Sequence, residues 1–165
     1  MHQLLEDRAA VDRVDICTVD SFGHRVITRS GTRPLKPVSG EVEESYWQRV
    51  VDELQLSWIP QFLAQEYRLV ILAQNIENET AYRNASRPGR GSALHPNRKP
   101  EVWRAVQRFT ELLADKGLCT YAQRAALAAR LPRESDPPYR HVMVDEAQDL
   151  PPAGGGSRAG TRPAG

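Results

Sequence analysis

The sequence predicts an α/β chain that is mostly helical, with a small sheet interrupted by a long helical insertion. Three observations lead there. β-rich runs stand at Arg13 to Val19 and at Tyr139 to Asp145. The stretch between them repeats its apolar residues at three- and four-residue spacing, the mark of helices with one buried face. An insert of that length can serve as the crossover that parallel strands require, so the two runs are expected to be parallel neighbours or near neighbours.

In chain order, Leu4 to Ala10 suits a short helix, and Arg13 to Val19 follows as the first strand. Ser21 or Asp20 can cap the turn after it. Gly31, Pro34, Pro37, Ser39 and Gly40 punctuate a loop. From Glu43, the positions Tyr46, Trp47, Val50, Val51 and Leu54 form one helical stripe, which Trp58 to Leu72 continues after a break near Pro60. Aromatic residues at this spacing read as core. The segment Tyr82 to Lys99 then loses periodicity and becomes basic and Gly/Pro-broken. Its Arg83, Arg87, Arg90, Arg98 and Lys99, with one aromatic, either hold phosphates and stack a base or form a solvated connector.

Pro100 opens a further helix with the stripe Val102, Trp103, Val106, Phe109, Leu112 and Leu113, and Gly117 ends it. Thr120 caps a last helix through Leu131. Pro137 and Pro138 force an extended approach to Tyr139. The tail 151–165 holds no apolar residue larger than alanine and is expected to be disordered.

At 165 residues the chain is one domain or part of one. Its net charge of +1 supplies no global field for a polyanion, so any nucleic-acid contact must come from a local patch. Cys17 and Cys119, far apart in sequence, suit small core residues in a reducing compartment rather than a zinc site. Neither a signal peptide nor a membrane span is legible, so the expectation is a cytoplasmic chain with no membrane partner, in which the sequons at Asn78 and Asn84 are accidental. Its oligomeric state is not encoded in any pattern of this kind.

The chemistry concentrates at the second β-rich run. Val142, Met143 and Val144 make an apolar strand, and Asp145, Glu146 and Asp149 follow at its carboxyl end, where ligands bind in open α/β sheets. Nucleotide hydrolysis needs a carboxylate for a Mg²⁺ ion that bridges phosphates, a role that suits Asp145. Glu146 suits a general base that polarises the attacking water. Gln148 and Asp149 are placed to sense the phosphate or brace the loop.

The full run VMVDEAQDL, Val142 to Leu150, resembles the Walker B motif, motif II, of the UvrD/Rep-like superfamily 1 DNA helicases. Earlier, TVDSFGHRVI resembles their Ib motif, a turn that grips single-stranded DNA. That likeness implies DNA contacts at Thr18 and Ser21, although Asp20 stands where a histidine is usual. The wording YRNASRPGRG followed by LHPNRKPEVW is similar to the 1B subdomain, which lies along the DNA path in such proteins. The resemblance therefore implies a partial RecA-like P-loop NTPase sheet with a helical 1B-like insertion. Residues 1–34 and the strand segment 137–150 belong to domain 1A, 35–136 to the insertion and 151–165 to the tail. Its partners would be single-stranded or duplex DNA and ATP.

No G-x-x-x-x-G-K-[ST] loop occurs in the sequence, nor do motifs III to VI with their arginine finger. Phosphoryl transfer depends on several positioned parts at once, so the expectation is a helicase fragment inactive by itself. Mg²⁺ and ATP are the cofactors of the intact family, and neither is expected to bind tightly to this chain alone. The alternative from another class is a non-enzymatic DNA- or protein-binding helical module.

Overall fold

The computed structural model describes residues 14–91, 93–131 and 141–145. Helices dominate these residues. They are α1 (Val19–Arg29), α2 (Gly40–Glu53), α3 (Pro60–Glu66), α4 (Glu79–Asn84), α5 (Lys99–Ala114) and α6 (Tyr121–Arg130). Helix α3 runs on as a π-helical turn over Tyr67–Leu72, and a 3₁₀ turn at Pro96–Arg98 leads into α5.

The helical stripes read from the sequence form one core. Trp47 and Val50 of α2, Leu63 of α3, Val70 of the π-turn and Val102, Phe109 and Leu113 of α5 are fully buried. At the centre, the rings of Trp47 and Phe109 stack with centroids 3.7 Å apart, and Tyr67 sets its edge against both, at 5.9 and 5.8 Å. Local chemistry fixes the helix ends as expected. Gly117, at φ +67°, closes the turn after α5 in a conformation that favours glycine. Thr120 caps α6, its hydroxyl accepting the Gln123 N–H at 3.0 Å while the Gln123 side chain accepts the Thr120 N–H at 2.7 Å.

The sheet is small and parallel, but it uses other residues than those expected. Strand β1 (Lys36–Pro37) pairs with β2 (Leu118–Cys119), with Lys36 opposite Leu118 and Pro37 opposite Cys119. Pro37 brings no N–H to the ladder. Instead, the flanking amides of Lys36 and Val38 donate to the carbonyls of Gly117 and Cys119. Helices α2 to α5 form the crossover that this parallel pair requires.

The two runs expected as strands are corrected. Within Arg13 to Val19, Arg13 lies outside the described residues, Val14 to Thr18 forms no strand and is exposed, so that Cys17 is not the core residue expected, and Val19 begins α1. Within Tyr139 to Asp145, Tyr139 and Arg140 lie outside the described residues, and His141 to Val144 form no strand before a turn at Asp145. Val142 and Met143 are 74% and 85% exposed. β-Propensity expresses how well a residue fits a pleated, half-buried surface, and among the described residues no strand pairs with either run. The expected helix Leu4 to Ala10 and the tail 151–165 lie outside the described residues. No described helix is long and apolar enough to cross a membrane.

Helix α1 stands apart from the central core and packs on α6. Gly23 faces α6, where a Cβ would lie at an ordinary contact distance, 3.7 Å, from the Ala128 Cβ, and Ile27 is buried on the same helix.

Candidate functional site

The acidic stretch is described only in part. Asp145 is an exposed residue in a turn, and Glu146, Gln148 and Asp149 lie outside the described residues. Among the described residues no group of three or more His, Cys, Asp or Glu side chains converges to hold a metal ion. The sequence holds no G-x-x-x-x-G-K-[ST] loop to cradle the phosphates of a nucleotide.

Thr18 and Ser21 stand together at the start of α1. Thr18 is the N-cap in place of the expected Ser21 or Asp20, its Oγ1 accepting the Ser21 N–H at 3.1 Å and its hydroxyl donating to Ser21 Oγ at 3.0 Å. Both residues are exposed. Asp20 turns toward α6, with Oδ1 3.4 Å from Arg124 Nη2.

The basic segment is far more ordered in its contacts than a solvated connector. Its centre is Glu66, fully buried at the end of α3. Arg87 Nε and Nη2 donate to the two Glu66 oxygens, each at 2.7 Å. Arg90 Nε adds a contact at 3.1 Å, and the Tyr82 hydroxyl donates at 2.9 Å. A buried carboxylate needs its charge matched and its lone pairs filled, and these donors do both. Burial acts to raise the Glu66 pKa, but the hydrogen bonds from Arg87 and Tyr82 and the nearby guanidinium charges outweigh it, leaving the carboxyl below its ordinary range. The same site pushes Tyr82 well above the usual phenol range, first by burial and then by the Glu66 charge.

Lys99 has another task. Its Nζ donates to the carbonyls of Tyr82, Arg83 and Ala85 at 3.1, 2.8 and 3.1 Å, which satisfies the carboxyl end of α4 with a cation. Burial, followed by the charge of Arg87, lowers its pKa.

Of the residues expected to touch DNA, the structure thus separates two groups. Arg87, Arg90 and Lys99 face inward, with side chains of the two arginines only 11% and 6% exposed. Tyr82, the aromatic expected to stack a base from a flexible loop, instead lies in α4, fully buried beside Trp103. Arg83 and Arg98 remain at the surface. Arg83 reaches Glu79 only at 3.8 Å. Arg98 lies over the Trp58 ring at 4.5 Å, donates to Glu101 and Ser57, and lines an open concavity with the exposed Asn97, Arg104 and Gln107. A guanidinium 4.5 Å over an indole ring, with exposed amides and Arg104 nearby, can meet a phosphate and an unstacked base, although Glu79 and Glu101 line the same concavity and work against the phosphate.

Glu66 is the residue that reading the sequence missed. The available signal was an acid within an apolar stripe, between Leu63 and Tyr67 on one side and Val70 on the other. Compared with protein-family models, with curated proteins and with solved structures, the chain finds no match.

Proposed function

We propose that the chain is part of a UvrD/Rep-like superfamily 1 DNA helicase, carrying its motif II segment and a 1B-like helical insertion that lies along DNA. The observation that carries this reading is the run VMVDEAQDL, in which a carboxylate pair follows an apolar strand sequence directly. The mostly helical body supports it. In the intact protein Asp145 would hold charge near Mg²⁺ and Glu146 would orient the attacking water, with Gln148 and Asp149 coupling the nucleotide to the rest. Within this chain the exposed Thr18, Ser21, Arg83 and Arg98 would meet the nucleic-acid strand.

Turnover of ATP by the chain alone is not part of the proposal, because the residues present do not make the phosphate cradle. The test is the coding sequence on either side together with an ATPase assay. An upstream phosphate loop in frame, and no turnover by the purified 165-residue chain, is the expected result. ATP turnover abolished by Glu146→Gln would contradict the proposed inactivity.

A second reading, a DNA- or protein-binding helical module, is favoured by one observation. The core around Trp47, Tyr67 and Phe109 closes without any contribution from 141–145, whose apolar side chains are exposed. Flanking sequence with no phosphate loop would favour this reading over the first.

A further inference from the structure

The concavity around Arg98 lies at the amino end of α5, and a second group of cations stands at the other end of that 16-residue helix, roughly 24 Å away at 1.5 Å per residue. Arg29 lies in the last turn of α1, the chain turns at Gly31 with φ +76°, and Arg33 then precedes Lys36 of β1. Lys116 approaches from the neighbouring segment, because the carbonyl of the next residue, Gly117, accepts the Lys36 N–H at 3.2 Å. All four cations are exposed. Residues 29–36 contain no acid, and 115–118 contain only Asp115.

Other surface arginines of this chain are matched by acids. Arg49, Arg108 and Arg130 each meet a glutamate, at 2.7, 2.8 and 3.1 Å. Among the described residues, none of Arg29, Arg33, Lys36 and Lys116 forms an ion pair. Arg29 and Lys116 stand at the carboxyl ends of α1 and α5, where a cation is favourable by itself, but Arg33 and Lys36 lie outside both helices. Like charges grouped without acids repel one another, and a polyanion relieves that repulsion.

We propose that the edge formed by Arg29, Arg33, Lys36 and Lys116 binds the phosphate backbone of duplex DNA. Its chemistry suits phosphates rather than unstacked bases. Beside the cations it offers the exposed hydroxyls of Ser30 and Thr32, and neither segment holds an aromatic residue on which a base could stack. A stacking platform stands only at the opposite end of α5 from this edge, where Arg98 covers Trp58. The proposal rests on the reading of this chain as a DNA-binding piece and gives the duplex a surface of its own.

The experiment titrates the full chain into a labelled duplex oligonucleotide at several salt concentrations and reads fluorescence anisotropy. It compares wild type with the triple variant Arg33→Gln, Lys36→Gln, Lys116→Gln. A second triple variant, Arg49→Gln, Arg108→Gln, Arg130→Gln, removes the same charge from elsewhere on the surface. The first is expected to flatten the slope of log affinity against log salt by about 2.7, at roughly 0.9 per phosphate, while the second keeps the wild-type slope. Equal flattening in both variants reports overall charge and overturns the proposal.

Duplex binding by wild type with an unchanged slope in the first variant also overturns it, and leaves the DNA reading in place. Wild type that binds a single-stranded oligonucleotide but no duplex has the same meaning. If wild type binds neither, the DNA reading fails and the proposal with it. Binding to phosphatidylglycerol vesicles in place of duplex overturns the proposal as well. Should the first variant lose its helical circular dichroism, Arg33→Gln and Lys36→Gln are tested singly. Each is expected to flatten the slope by about 0.9, and no change in either overturns the proposal.

Discussion

Arg87 meets Glu66 side-on, its Nε and Nη2 each 2.7 Å from a different carboxylate oxygen, and so ties the basic loop to the end of α3. The pair is almost dry, with the arginine side chain 11% exposed and the glutamate 0%. Geometry of this kind cannot lose one partner cheaply. Glu66→Ala removes the carboxylate that Arg87, Arg90 and the Tyr82 phenol share, and a loss of about 3–5 kcal/mol is expected, the usual scale for breaking a buried pair by removing one side. Urea unfolding monitored by circular dichroism measures it, and a loss below 1 kcal/mol would show that water replaces the carboxylate.

Acid should act on the same contact. The folded pKa of Glu66 is lowered from its ordinary 4.5, because the hydrogen bonds and charges around it outweigh the effect of burial. Its ionised form therefore stabilises the fold fully above the unfolded value. That contribution disappears as pH falls through the folded value. Wild-type stability is expected to drop below pH 4.5, and Glu66→Gln should lack that component of the drop. Parallel stability profiles for the two proteins from neutral pH down to pH 3 would contradict the assignment.

Two apolar residues separate core from surface. Phe109 is fully buried against Trp47, so Phe109→Ala should cost about 3–5 kcal/mol. Met143 is 85% exposed, and Met143→Ala should fall within about 0.5 kcal/mol of wild type. A large loss in the second variant would place the 141–144 run inside a packed interface.

The contrast between those residues shows what the sequence could convey. Trp47, Val50, Phe109 and Leu113 follow a helical period that any amphipathic helix must show, so the core was legible. Thr120 and Gln123 are three apart because that is the reach of a capping box, which made the start of α6 legible as well. The β-rich runs misled because valine and isoleucine favour a strand only where a sheet is there to receive them. Conversely, Lys36–Pro37 and Leu118–Cys119 are too short to carry a period, and their pairing depends on the helices between them. The basic segment was visible as charge. That Arg87 and Arg90 turn inward was not, since their partner stands 21 and 24 residues earlier inside an apolar stripe. Of the acidic stretch singled out by resemblance, Asp145 is an exposed turn residue, while Glu146, Gln148 and Asp149 lie outside the described residues.

The central claim, that the helical body keeps a surface for the DNA backbone, is tested most directly by titrating the wild-type chain into a labelled single-stranded oligonucleotide at rising salt. With Arg83, Arg98 and Arg104 exposed, the account predicts weak binding, with a dissociation constant of roughly 10⁻⁴ to 10⁻⁶ M at physiological salt. Affinity should fall as salt rises, with a slope of about −2 if three phosphates are contacted at roughly 0.7 each. No binding even at low salt, or an affinity indifferent to salt, would contradict it.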